Sequence, residues 1–394
     1  MNIYINNCSN TFNYGSMMMG ENYMTYFNKV TGLKNKYFVE TPEEINIQRL
    51  KFASGIEEIY SVSMHSLFDK ELGKYDYLLV EFRLKKMVSD FAKTMDLVIV
   101  LGGDDFTEDY GWKEPLMRAI ELNQLRREGI RVIMLGQTMG PYHSFRIPMM
   151  KSLLGKMNKI YARDNLTYDY LMNLGLENIA ITDDLALLPL ARQNGHERSK
   201  EYMTYCPSEL IYRYSKDGNR ENWIEFNQNM MEFILNKYPD KKLVLLAHVL
   251  SPADADDRIV VEELYGLLRG KYGKRIILKN GEMYPFEVRD LIAQSMFVVS
   301  SRMHPVVSAV QCLVPAIAFS YSNKFWGILG ERCGLGEYII DVRHLDYEEM
   351  GKKFVEMINR IEMEYEEIEN TMKTNTVIAS RNINQALEEI KNLQ

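Results

Sequence analysis

At 394 residues the chain is long enough for two domains at roughly 150 residues each, or three. A composition 46% hydrophobic and 26% charged excludes disorder or a fibrous repeat as the dominant state. With 47 Lys and Arg against 54 Asp and Glu, the net charge of -7 argues against non-specific nucleic-acid binding, but it allows a local basic pocket for a small anion. In chain order, short β-branched runs alternate with longer amphipathic stretches. The first series of expected strands is 3–5, 97–101, 132–135, 159–162 and 179–182, and the second is 202–205, 243–246, 275–278, 296–300 and 316–320. Helical patterns lie between them at 114–128, 165–174, 223–237 and 257–271. Apolar runs bounded by Gly and Pro and separated by helices indicate parallel βαβ units, and two such series indicate an α/β protein of two Rossmann-like domains. The expected division is an N-terminal domain over 1–195, a C-terminal domain over 196–345, and C-terminal helices over 346–394 that return to the N-domain. One of these helices carries Phe354, Met357, Ile358, Ile361, Tyr365, Ile368 and Met372 on one face, and a second covers 376–392. Residues 341–394 hold 12 acids against 7 bases, so most of the net charge lies there.

Cys8, Cys206, Cys312 and Cys333 show no CxxC spacing, so neither a zinc site nor a disulfide framework is expected. The opening MNIYINN has no basic, apolar leader, and the longest apolar stretch, 306–319, is interrupted by Ser308, Gln311 and Pro315. A cytoplasmic location follows as the expectation.

In parallel α/β sheets, ligands bind beyond the carboxyl ends of strands, where helix N-termini present unpaired N–H groups. The strand at 296–300 leads into Ser301-Arg302-Met303-His304 and then Pro305. Proline favours the first helical position, so a helix is expected to open at Pro305 with His304 at its cap and Arg302 beside it. A guanidinium, an imidazole and a helix dipole would then meet on one anion; alternatively Arg302 pairs with a carboxylate. The next strand end carries Tyr321-Ser322-Asn323-Lys324, a further set of ligands for a multiply charged anion. In the first half, 97–101 opens into Gly102-Gly103-Asp104-Asp105, whose carboxylates suit sugar hydroxyls, a divalent metal or simple helix capping. Gln137 and Arg163 close two further strands, with Asp164 as a cap or partner for the arginine. His248 follows 243–246 as an acid–base candidate. Gly15 and Ser16 lie in the first strand-to-helix loop.

The ordered segments GGDDF, GQTMGP, ARDNLTYDYLMNLG, DDLALL, SSRMHPVVSAV and AFSYSNKFWGIL resemble the polysaccharide pyruvyl transferase family from about residue 13 to 335. The S-R-x-H loop followed by Y-x-x-K is the most specific part. The resemblance implies a GT-B-like arrangement with the active site between the domains. It also implies transfer of a pyruvyl group from phosphoenolpyruvate, as co-substrate, to a hexose of a surface polysaccharide or its lipid-linked precursor. No cofactor or metal is required. Matched by position, His304 and His248 are the catalytic candidates, and Arg302, Lys324, Arg163, Ser301, Tyr321 and Ser322 are the donor-binding candidates. Asp104, Asp105, Gln137, Gly15 and Ser16 fall to the acceptor. The expected partners are phosphoenolpyruvate and a glycan or lipid-linked oligosaccharide, with peripheral association at the inner face of a membrane. A GT-B glycosyltransferase using a nucleotide sugar and a non-catalytic glycan-binding scaffold are the alternative readings.

Overall fold

The computed structural model describes residues 1–63, 91–195 and 199–393. His65 and His196 lie outside the described residues. Two compact units are present. The first comprises Met1–Thr11, Met19–Leu185 and Ala379–Gln394, and the second Phe12–Met18 and Ala186–Ile378.

The first unit is built on a seven-stranded sheet of order β3-β2-β1-β4-β5-β6-β7. The strands are β1 (Asn2–Asn6), β2 (Lys36–Glu40), β3 (Ile59–Val62), β4 (Leu97–Leu101), β5 (Arg131–Gln137), β6 (Lys159–Ala162) and β7 (Ile179–Ile181). The second unit holds six strands of order β10-β9-β8-β11-β12-β13. These are β8 (Tyr202–Cys206), β9 (Lys242–Leu246), β10 (Ile276–Lys279), β11 (Ser295–Ser300), β12 (Ala316–Ser320) and β13 (Ile339–Asp341). Every strand pairing within the two sheets is parallel. The β4 run LVIVL is buried throughout, as a strand covered on both faces requires.

Both sheets are doubly wound, and each reverses its strand order once, between β1 and β4 in the first and between β8 and β11 in the second. That reversal opens a crevice beyond the strands' carboxyl ends. It places the ends of β1 and β4, Asn7 and Gly102–Asp105, together in the first unit. In the second it places Cys206 beside Ser301, whose N–H donates to the Cys206 carbonyl at 2.9 Å.

The sequence pattern misses β2, β3 and β13. β2 begins and ends on charged residues, β3 is an edge strand with Tyr60 and Ser61 exposed, and β13 spans three residues. The last helices also differ from expectation. Tyr347–Met363 is followed by one 28-residue helix, Tyr365–Asn392, instead of a break before 376. Asp346 opens the first of these with a capping box to Glu349. In the second unit Phe354 stacks on Phe319 at 6.0 Å, and Phe319 meets Trp223 and Phe226 edge-on, forming an aromatic core.

Candidate active site

The second unit gathers most of the predicted residues. The helix after β11 is Met303–Gln311 with Arg302 at its N-cap, so it opens two residues before Pro305. Proline fits there because an N–H in the first helical turn has no intrahelical acceptor to lose. His304 therefore sits in the first turn, not ahead of it. Ser300 fixes the entry: its Oγ accepts the Arg302 N–H at 2.9 Å and donates to the Arg302 carbonyl at 2.7 Å.

Arg302 is buried against Asp257, with Nε 3.1 Å from Oδ2 and Nη2 2.8 Å from Oδ1; Nη2 also donates to the Ala255 carbonyl at 2.8 Å. Burial opposes the positive charge, but the Asp257 carboxylate outweighs it and holds the guanidinium above its ordinary pKa. Asp257 also accepts the Val249 N–H at 3.0 Å and the Glu209 N–H at 3.2 Å, so one carboxylate ties the chain after β8 and β9 to the arginine after β11. Arg302 thus has the carboxylate partner that the sequence allowed, in Asp257.

His248 is buried two residues beyond β9, and its Nε2 has no hydrogen-bond partner among the described residues. Burial, then the nearby charges of His304 and Arg302, push its pKa well below the ordinary imidazole value. It is therefore a neutral imidazole at physiological pH. Tyr14, which sequence reasoning passed over, packs edge-on against His248 with centroids 5.4 Å apart, and its hydroxyl accepts the Met283 N–H at 2.9 Å. An aromatic directly ahead of Gly15 was the available signal.

Gly15 belongs to this same group. A Cβ at Gly15 would overlap Nδ1 of His304, so glycine here makes room for the imidazole. Gly15, expected with the acceptor, thus lies beside the signature histidine, and Ser16 falls in the same unit. Phe12 and Asn13 hold the segment: the Phe12 carbonyl accepts the Leu250 N–H at 2.9 Å, and Asn13 bridges Val249.

Two hydroxyls complete the cluster. Ser301 and Ser322 are buried, and neither Oγ has a hydrogen-bond partner among the described residues. Ser322 stands at the N-cap of Asn323–Phe325 yet makes no capping bond. Lys324 Nζ lies 3.2 Å from the Tyr321 hydroxyl and 5.0 Å from its ring centroid, while Tyr214 stacks on Tyr321 at 5.0 Å. A lysine, an arginine, two histidines and two unsatisfied hydroxyls suit a small polyanion. Among the described residues no group of three or more His, Cys, Asp or Glu could hold a metal ion.

The first unit holds Asp104, Asp105, Gln137 and Arg163. Arg163 is buried and spent internally, with Nη1 2.8 Å from Asp184 and Nε donating to Thr138 at 2.9 Å. The pair with Asp184 is a buried internal one. Its sequence neighbour Asp164 caps the helix Asn165–Asn173 by accepting the Thr167 N–H at 2.7 Å. Gln137 is buried, donating to the Val100 carbonyl at 2.8 Å, with Oε1 unpartnered among the described residues. Asp104 accepts the Tyr110 hydroxyl at 2.5 Å, and Asp105 lies 3.7 Å from Arg118. Burial raises the Asp105 pKa against the lowering effect of Arg118.

Both doubly wound sheets recur in solved structures. UDP-GlcNAc 2-epimerase from Neisseria meningitidis bound to UDP-GlcNAc superposes with a TM-score of 0.62 at 11% identity, over 100% of both chains. A glycosyltransferase from Rickettsia africae gives 0.59 at 11% identity, over 100% of this chain and 96% of that one. These likenesses define the class as the α/β fold shared by GT-B glycosyltransferases and UDP-GlcNAc 2-epimerases. Within that class, the polysaccharide pyruvyl transferase family pattern matches residues 13–323, and the chain belongs to that family. Amylovoran biosynthesis protein AmsJ of Erwinia amylovora is 23% identical over 317 residues, 77% of this chain and 72% of that protein.

Proposed function

We propose that the chain transfers a pyruvyl group from phosphoenolpyruvate to a hexose of a surface polysaccharide or its lipid-linked precursor, with release of phosphate. The observation that carries this reading is the pair of buried, unsatisfied hydroxyls of Ser301 and Ser322 beside Arg302 and Lys324. These are hydrogen-bond donors and cations at adjacent strand ends, the groups that a phosphate and a carboxylate on one small molecule would need. Family membership supports the transferase chemistry and the glycan acceptor.

In this reading a proton is added to the methylene carbon of the enol, leaving an oxocarbenium-like C2. A sugar hydroxyl attacks C2 and gives up its proton. The C2–O bond to phosphate breaks with its electron pair, and a second hydroxyl of the same sugar closes the ketal as its proton passes to the departing phosphate. Lys324 and the Ser301 and Ser322 hydroxyls offset the charge of the departing phosphate. The two histidines divide the work by environment. His248, kept neutral, accepts or donates a hydrogen bond without carrying charge, whereas the less buried His304 is the group that gains and loses the proton. Asp104 and Asp105 are the acceptor-side candidates.

His304→Ala is expected to lower phosphate release from phosphoenolpyruvate in the presence of acceptor by about 10²-fold or more. Turnover near wild type would remove His304 from the chemistry. In thermal shift, phosphoenolpyruvate should stabilise the wild-type protein. Stabilisation by nucleotide sugars alone would overturn the donor assignment.

A further inference from the structure

Three large apolar side chains stand in the open on one short stretch of the first unit: Phe145 is 61% exposed, Ile147 37% and Met149 40%. The stretch leads into the helix Arg146–Leu154, which turns Met150 and Leu154 into the core and leaves the opposite side uncovered. The packing of Phe145 is organised: the Arg146 guanidinium lies 5.5 Å from its ring and 5.4 Å from that of Trp112. Arg146 is itself neutralised by Glu108 through two 2.6 Å contacts. The flanking charge is of one sign. From residue 141 to residue 163 there is no Asp or Glu, while Lys151 and Lys156 are exposed and Lys159 is half-exposed. In a chain of net charge -7 this is a local reversal. A groove of about 690 Å³ runs beside the two lysines, lined also by Ser152, Gly155 and Asn178, with Glu177 as its one acid.

We propose that this face docks on an anionic phospholipid surface. Phe145 and Met149, four residues apart and so on one side of the chain's helical turn, enter the headgroup boundary, and Lys151 and Lys156 meet lipid phosphates. A second copy of the chain is a poorer occupant, because a two-fold interface would set Lys151 and Lys156 against their own images. The position suits the acceptor. The segment follows the carboxyl end of β5, and Arg146 ties it to Glu108 in the loop after β4, so the face lies at the same end of the sheet as Asp104, Asp105 and Gln137. A lipid-linked sugar presented at the membrane would reach that end. This last point rests on the acceptor reading above; the surface itself does not.

The test is co-sedimentation of the full chain with phosphatidylglycerol vesicles and with phosphatidylcholine vesicles, without donor or acceptor. Binding is expected to the former, weakening as salt is raised. Lys151→Glu combined with Lys156→Glu should lower it at least about tenfold. Phe145→Ser should lower it severalfold at an unchanged Tm, since the ring is exposed, and Met149→Ser, on the same side, provides a second apolar check. Equal binding to both vesicle types, no binding, or variants that sediment like wild type would overturn the proposal. A concentration-dependent dimer abolished by Phe145→Ser, without vesicle binding, would assign the face to a second copy. Because no substrate is present, failure here is distinct from failure of the donor assignment.

Discussion

Gly15 shows how much one missing methyl decides at the residue scale. The sequence marks it only as a lone glycine in a strand-to-helix loop, and a Cβ there would occupy the place of the His304 ring. Gly15→Ala is expected to displace the imidazole, lowering kcat for phosphate release by one to two orders of magnitude, roughly what misplacing a catalytic group costs. The KM for phosphoenolpyruvate should change far less. A variant with unaltered kcat would show that His304 tolerates the displacement. Overpacking should also cost about 1–3 kcal/mol in chemical denaturation. Arg302 makes the complementary point. Its residue type and position were legible, but its partner Asp257 lies 45 residues away in the chain. A charge can be seen in a sequence, whereas its compensation is a distance.

Strand ends and helix starts hold the candidate groups at the scale of elements, and these were the most readable features. Strands β4, β6 and β12 fall where the apolar runs place them. The helix after β11 was misplaced by two residues because proline restricts the backbone before it without dating the first helical residue. The glycines after β4 were legible as turn residues. That a Cβ at Gly102 would strike the Gly136 carbonyl of the neighbouring β5 is a property of the pairing between strands. The helix Lys113–Arg127 hides a further feature: Glu121 is buried near Glu40, which accepts the Tyr4 hydroxyl at 2.5 Å. Burial first, then Glu40, raise the Glu121 pKa from 4.5 to about 8 against the pull of Arg118. The folded state then holds a proton that the unfolded chain releases. This contribution to stability is complete below pH 4.5 and fades as pH rises towards 8. Urea midpoints measured across that window should fall with pH in the wild type and fall less in Glu121→Gln. Parallel curves would rule out a protonated Glu121.

At the scale of the whole molecule, the acidic C-terminal region serves a structural purpose. Residues from Ala379 onward belong to the first unit, where Ile383, Leu387 and Ile390 are buried. In the same unit Tyr161 donates to Glu389 at 3.0 Å and Asn382 to Asp183 at 2.8 Å. Removing residues 379–394 should forfeit about 1.5–3 kcal/mol for each of the three apolar side chains. Calorimetry should register this as a lower Tm, and an unchanged melting profile would refute it. The sequence by itself determined the two parallel α/β series, the strand ends that carry the chemistry, and the family, because period, turn residues and motif order are local properties of the chain. Only the tertiary structure decided that Arg163 is an internal ion pair, that Gly15 belongs with His304, that His248 is neutral, and that Phe145, Ile147 and Met149 face outward. Those outcomes depend on burial and on distances between residues far apart in the chain, which no local pattern encodes.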